Sequence, residues 1–179
     1  MGRVWNRVRA RVLGLIYPVF YRLPHRTRVR LVRLVAPTYT VGSVVLLRDS
    51  QATGAGRLLL LRQPPGRGWS LPAGLLTRNE TPLQGAIREL AEESGVQLTP
   101  EHLRPAVPNA LVHTHGRWVD MVFEGSVPAS ETTLRVDGRE VFEAAWHDLD
   151  DLPPLTRSTA RLLAHYGIGP LAEQTPDPA

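Results

Sequence analysis

The stretch GLLTRNETPLQGAIRELAEESGV, residues 74–96, places three glutamates within five positions. Glu89 and Glu93 are four residues apart, and Glu89 and Glu92 are three apart. In a helix these spacings put all three carboxylates on one face, where like charges repel each other. A structure that keeps them together therefore needs a compensating positive charge or full exposure to water.

Both ends of such a helix are marked in the sequence. Thr81 suits the N-cap, Pro82 suits the first helical position, and Gln84 completes a capping box with Thr81. Gly95 suits the left-handed position that ends a helix. The stretch thus predicts a helix over residues 82–94. Its apolar residues can pack on a sheet: Ala86, Ile87 and Leu90.

Two interpretations of the glutamates follow from the residues alone. A hard cation such as Mg²⁺ binds carboxylate oxygens together with water and substrate phosphates, and it would relieve the repulsion. The alternative is a solvated acidic face, since glutamate is mostly an exposed residue. In either case Arg88, four residues before Glu92, can pair with that glutamate.

The fixed residues of this stretch resemble the signature of the Nudix hydrolase family, G-x5-E-x7-R-E-U-x-E-E-x-G-U, in which U is a bulky aliphatic residue. Gly74, Glu80 and the run RELAEESGV at 88–96 match every fixed position. The preceding WSLPAG is similar to the W-x-L-P-G-G lead-in of many members, with Ala73 in place of the first glycine.

This resemblance, which covers residues 38–165, implies an α/β fold of the Nudix type, an α/β/α sandwich with a mixed β-sheet. It also implies Mg²⁺- or Mn²⁺-dependent hydrolysis of a diphosphate linkage in a nucleoside diphosphate joined to another moiety. One alternative is a Nudix-fold nucleotide-binding or regulatory module. Such modules commonly lose glutamates of this signature, and here the signature is complete, so the enzyme is favoured.

The resemblance assigns roles to residues at matching positions. Glu89 and Glu93 would be the main metal ligands, and Glu92 would be a further ligand or would hold water. The carbonyl of Ala73 would face the metal, and Arg88 would hold the glutamates. Supporting roles fall to three residues: Gly74, Glu80 and Gly95.

A further catalytic glutamate is expected from a later loop. Glu140, six residues before Trp146, matches the position at which family members often add a ligand or a base. The alternative is a solvated turn residue beside Asp137 and Gly138.

Substrate contacts are less clearly marked. Trp69 can stack on a base or simply pack on the sheet. His113 and His115 can contact phosphate or act as an acid, or they are half-exposed polar residues near a turn. Arg62 and Arg67 can meet substrate phosphates, although a single arginine is more often a surface charge. The expected partner is a small nucleotide-type molecule whose identity the sequence leaves open.

Positive charge is concentrated at the start of the chain. Residues 1–36 contain nine arginines and no acidic residue, whereas the rest of the 179-residue chain holds twelve arginines against seventeen acids. Three interpretations are open: docking of apolar helix faces on the core or on a second subunit, contact with an anionic membrane surface, and binding of nucleic acid. Docking of the helix faces is favoured, and nucleic acid, including an RNA-directed enzyme that uses this segment, is the least favoured.

The chain thus divides into a basic amphipathic N-terminal extension, 1–37, a Nudix domain, 38–168, and a disordered tail, 169–179. Apolar runs predict a hairpin of strands at 40–47 and 57–62, with later strands at 117–123 and 140–147. Helical patterns occupy 3–17, 26–35 and 156–166. Because cysteine is absent, disulfides and thiolate metal sites are excluded. We expect a cytoplasmic protein, for which a homodimer and peripheral contact of residues 1–36 with an anionic membrane stay open.

Overall fold

The computed structural model describes residues 17–65, 68–114 and 116–173. The chain divides into two compact units; the first ends at Thr38 and the second begins at Tyr39. In the first unit, residues 17–22 are helical and are followed by helix α1, His25–Val35, as the pattern over 26–35 predicted. The predicted helix over 3–17 lies almost wholly outside the described residues. No helix in the described ranges is long and apolar enough to cross a membrane.

The second unit is built on one seven-stranded mixed sheet. Its strands are β1 Thr40–Asp49, β2 Arg57–Arg62, β3 Trp69–Ser70, β4 Ala73–Leu75, β5 Leu103–His113, β6 Trp118–Val127 and β7 Glu143–Asp148; its helices are α2 Pro82–Ser94 and α3 Arg157–Ala164. The strand order is β3-β2-β1-β6-β5, with β4 paired to β1 and β7 paired to β2. Strands β1 and β6 run parallel over their whole length, and all other pairs are antiparallel.

Each face of the sheet is covered by one helix. Because side chains alternate along a strand, Val44 and Leu46 of β1 face one layer and Val45 and Leu47 face the other. Helix α3 joins the first layer through Leu162 and Leu163, and α2 joins the second through Ala86 and Leu90. The run RLLLLR of β2 is apolar on both faces for this reason. The predicted α/β/α sandwich with a mixed sheet is confirmed.

Two strands differ from expectation. Strand β7 begins at Glu143 rather than at 140, because the Asp137 carboxylate accepts hydrogen bonds from the amides of 139, 140 and 141 and holds that segment in a turn. Strand β5, Leu103–His113, was not among the predicted strands. It contains Pro105 and Pro108, and its register to β6 shifts between Pro105 and Ala110, which removes the regular alternation.

Candidate active site

Helix α2 is fixed at its first turn to strand β1. The Thr81 hydroxyl accepts from the Gln84 amide, and the Gln84 side chain accepts from the Thr81 amide at 2.9 Å, which completes the predicted capping box. The buried Ser43 hydroxyl of β1 donates to the Pro82 carbonyl at 2.7 Å. At the other end Gly95 takes the left-handed conformation at φ 76°. The glutamates on this helix therefore start from a fixed backbone.

Arg88 supplies the positive charge that the glutamates need. Its Nη1 lies 2.8 Å from Glu89 Oε1 and 2.9 Å from Glu92 Oε2. Its Nε lies 2.8 Å from Glu80 Oε1, and its Nη2 donates to Glu80 Oε2 at 3.1 Å and to the Leu75 carbonyl at 3.0 Å. One guanidinium thus joins strand β4, the loop before α2 and two carboxylates of the helix.

Glu80 fixes the loop before the helix. It accepts hydrogen bonds from the Thr77 amide at 2.8 Å and from the Thr77 hydroxyl at 3.0 Å. Hydrogen bonds from Arg88 and from the Thr77 amide lower the pKa of Glu80 to about 2. The carboxylate is therefore ionised at any pH above that value, and Arg88 keeps its partner.

Glu89 lies directly against the backbone of Gly74. A Cβ atom added at Gly74 would be 1.9 Å from Glu89 Cδ, far inside contact distance. The close approach explains why glycine is needed here: it leaves room for a carboxylate beside strand β4.

We expect Gly74→Ala to lower kcat/KM by roughly 10²-fold, the cost of moving a reacting group by about 1 Å. The melting temperature should change little, because the displaced atoms are the terminal atoms of the flexible Glu89 side chain rather than backbone. Shortening that side chain with Glu89→Asp makes room for the added methyl group. In a double-mutant cycle on kcat/KM, the double variant should therefore lose less than the two single losses combined. Fully multiplicative losses would show that the two residues act independently.

Glu93 is the most enclosed carboxylate of the helix, at 8% exposure. Its Oε2 accepts from the Ala73 amide at 2.8 Å and its Oε1 accepts from Gln63 Nε2 at 2.5 Å. Burial raises the pKa of Glu93 to about 7, with repulsion from Glu89 and then Glu140 adding to the rise, while the two hydrogen bonds oppose it. The charges of Glu89 and Glu140 thus both oppose ionisation of Glu93.

Gln63 was missed by sequence reasoning. It follows strand β2 directly and is 30 residues from Glu93, so no local spacing connects the two. Its carbonyl oxygen accepts from the Ser70 hydroxyl at 3.1 Å, which holds the amide in place. The contact depends on the tertiary fold, and an alignment of related sequences would be the signal able to find it.

The backbone of Ala73 is turned away from β1. Across the β1–β4 ladder the Val45 amide donates to the Pro72 carbonyl at 2.9 Å, and the Leu76 amide donates to the Val41 carbonyl at 3.1 Å. Ala73 and Val44 lie opposite each other between these positions and form a non-hydrogen-bonded pair. Residues in such pairs point their amides and carbonyls away from the neighbouring strand. The Ala73 amide donates to Glu93, and the role of the Ala73 carbonyl as a metal ligand stays a prediction.

The two remaining acidic residues of the predicted catalytic set are exposed. The Glu92 side chain is 61% exposed and pairs with Arg88. Glu140 is exposed in the loop held by Asp137, and its charge acts on Glu93. Their roles stay predictions.

The predicted substrate residues are not gathered around the glutamates by any contact in the described structure. Trp69 packs on the core, with its ring 4.2 Å from the His147 ring. Arg62 pairs with Glu143 at 2.7 Å. His113 Nε2 lies 2.9 Å from Asp120 Oδ2, and its ring stacks on Trp118. Two further residues lie outside the described residues: Arg67 and His115.

The donor set fits a hard divalent cation. Carboxylates of Glu89 and Glu93 and a carbonyl at Ala73 offer only oxygen, the ligand that Mg²⁺ prefers. Each Glu93 oxygen keeps a lone pair beyond the one used by its hydrogen bond. In the described parts of the chain no three Asp, Glu or His side chains form a ready-made ion site. Such a set suits a cation that keeps water and takes further oxygens from the substrate.

The sequence and the fold are both similar to those of known proteins. The family model of the NUDIX domain matches residues 38–166. A nucleoside triphosphate pyrophosphatase/Nudix hydrolase fusion protein of Bifidobacterium longum is 32% identical over 89 residues, which cover 49% of this chain and 18% of that protein. An RNA pyrophosphohydrolase of Xanthomonas axonopodis pv. citri is 29% identical over 166 residues, covering 78% of this chain and 74% of the relative.

Among solved structures, the NUDIX domain of Shewanella oneidensis NrtR, complexed with ADP ribose, has a TM-score of 0.57 at 17% identity. The match covers 72% of this chain and 86% of that one, and at this identity it shows the fold alone. The chain spans about half or less of the length of the first curated relatives that it matches. The family match covers most of the chain and confirms the resemblance seen in the sequence: the chain belongs to the Nudix family of MutT-like hydrolases.

Proposed function

We propose that the chain hydrolyses a diphosphate linkage in a nucleotide or nucleotide derivative, with Mg²⁺ or Mn²⁺ as cofactor. The observation that carries the proposal is the pair of carboxylates beside strand β4: Glu89 against Gly74 and Glu93 on the Ala73 amide. Members of the family generally use a divalent metal, and the oxygen donors here suit one.

Each residue has a task in this reaction. Glu89, Glu93 and the Ala73 carbonyl would hold the cation, which when bound supplies positive charge to the diphosphate oxygens. Arg88 and Glu80 keep the helix and the loop in register so that the carboxylates do not move. A carboxylate of the cluster takes a proton from water, whose oxygen bonds to phosphorus as the bridging P–O bond breaks.

The substrate is proposed at the level of class. The Xanthomonas relative is named an RNA pyrophosphohydrolase, and the Shewanella domain was solved with ADP ribose. ADP ribose is a nucleoside diphosphate joined to a second moiety, which agrees with the broader class. A nucleotide-binding module without activity is the second candidate, motivated by the fold of the Shewanella domain.

A substrate panel tests the proposal. The full-length protein with Mg²⁺ is incubated with nucleoside triphosphates, ADP ribose, nucleotide sugars, dinucleoside polyphosphates and 5′-triphosphorylated RNA, and the products are identified by mass spectrometry. We expect cleavage within one class and loss of cleavage when the cation is chelated. Nucleotide binding by calorimetry without any cleavage would replace the enzyme by the binding module.

A further inference from the structure

Helix α1 has an apolar side that is exposed. Leu31, Val32, Leu34 and Val35 are 41–85% exposed, and no residue of the helix is buried. The spacing of three and four residues from Leu31 to Leu34 and Val35 places these side chains on one side of the helix. A contiguous apolar surface of this kind marks a site of contact rather than a solvated face.

Another side of α1 carries a row of arginines. Arg26, Arg30 and Arg33 are four and three residues apart, so they share a face. Within the described ranges none of the three forms an ion pair with a carboxylate, and residues 17–38 contain no acidic residue. This face can therefore meet a negatively charged partner.

Aromatic residues lie next to this helix. Tyr17 and Tyr21 stack with ring centroids 6.2 Å apart, and both are more than half exposed. Arg28, which falls on the apolar side of α1, lies over the Tyr21 ring at 5.8 Å. A tyrosine has an apolar ring and a polar hydroxyl, which suits it to a boundary between lipid and water.

We propose that α1 docks the protein on an anionic membrane surface. The apolar side would enter the boundary between headgroups and acyl chains, and the arginine row would lie against lipid phosphates, as in interfacial amphipathic helices. Nucleic acid would use the arginines but would leave Leu34 and Val35 in water. A second copy of the helix would cover the apolar side but would bring a second arginine row without any acid. Of these three partners a membrane surface satisfies both faces, and the proposal does not depend on the catalytic chemistry.

Vesicle binding by the full-length protein tests the charged face. Sedimentation is measured with phosphatidylcholine vesicles and with vesicles that also contain phosphatidylglycerol. Binding to the anionic vesicles should weaken about fivefold per arginine, and so about 25-fold in Arg26→Gln/Arg30→Gln. The matched control is Arg157→Gln/Arg161→Gln, which removes two exposed arginines at the same spacing from α3. It should bind like the unchanged protein, and an equal loss would overturn the proposal.

The apolar face is tested without any change of charge. Leu34→Gln/Val35→Gln should weaken binding to the anionic vesicles by about tenfold or more, since two exposed side chains lose their transfer into lipid. Unchanged binding would overturn the proposal. So would tighter binding to single-stranded RNA than to vesicles, because the arginine row would then serve nucleic acid. Conversion of a dimer to a monomer by this pair, with no vesicle binding by the unchanged protein, would assign the face to a second copy.

Discussion

Glu93→Gln is expected to lower kcat by about 10²–10⁴-fold, the range for loss of a group that exchanges a proton or stabilises charge in the reaction. Glutamine keeps the shape of the side chain but removes the negative charge beside Glu89. The fold should persist, because the oxygen of the new glutamine side chain can still accept from the Ala73 amide. The Gln63 side-chain amide can rotate so that its oxygen accepts from the new NH₂ group. The measurement is kcat on the substrate found in the panel, with the melting temperature recorded alongside.

The matched control for this variant is Glu131→Gln. It makes the same change at an exposed residue of the short 3₁₀ helix Ala129–Glu131. It should leave kcat unchanged. Mg²⁺-dependent turnover of Glu93→Gln at the level of the control would remove Glu93 from the catalytic set. If both variants lost activity equally, the loss would reflect net charge rather than the position of this carboxylate.

Leu90→Ala is expected to lower the free energy of unfolding by about 2–5 kcal/mol. Leu90 lies between Glu89 and Glu93 in the sequence. Its side chain is fully buried and packs in the layer between α2 and the sheet. Removing its side chain leaves a cavity whose lining cannot fully close, so the transfer free energy and the packing contacts are both lost. Urea denaturation, followed by circular dichroism, measures the change.

Two variants serve as controls for Leu90→Ala. Leu90→Met keeps nearly the same volume and should cost less than about 1.5 kcal/mol. Leu75→Ala, at a side chain 61% exposed on β4, should stay within about 0.5 kcal/mol of the unchanged protein. A loss below about 1 kcal/mol in Leu90→Ala would mean that α2 does not depend on this contact to stay on the sheet.

Features set by short-range geometry could be predicted from the sequence. Thr81, Pro82, Gln84 and Gly95 bounded helix α2 correctly, because capping and left-handed termination depend on a few neighbouring residues. The apolar run of β2 is a similar case. Because successive side chains of a strand point to opposite faces, four consecutive leucines place apolar side chains on both faces.

The irregular strands were harder. Strand β5 is interrupted by prolines that the ladder tolerates at the sheet edge, and β7 starts late because one carboxylate, that of Asp137, holds the chain in a turn first. In both cases the competing effect is a specific contact that overrides local propensity.

The family, the helix that carries the glutamates and the need for a positive charge beside them could all be inferred from the order of the residues. The identity of that charge and the different environments of the glutamates depend on the folded chain. Arg88 reaches Glu80, Glu89 and Glu92 at once, and Gln63 comes from a distant strand to the buried Glu93. Burial and hydrogen bonds between distant parts of the chain are properties of the folded packing, so residue spacing along the sequence does not contain them.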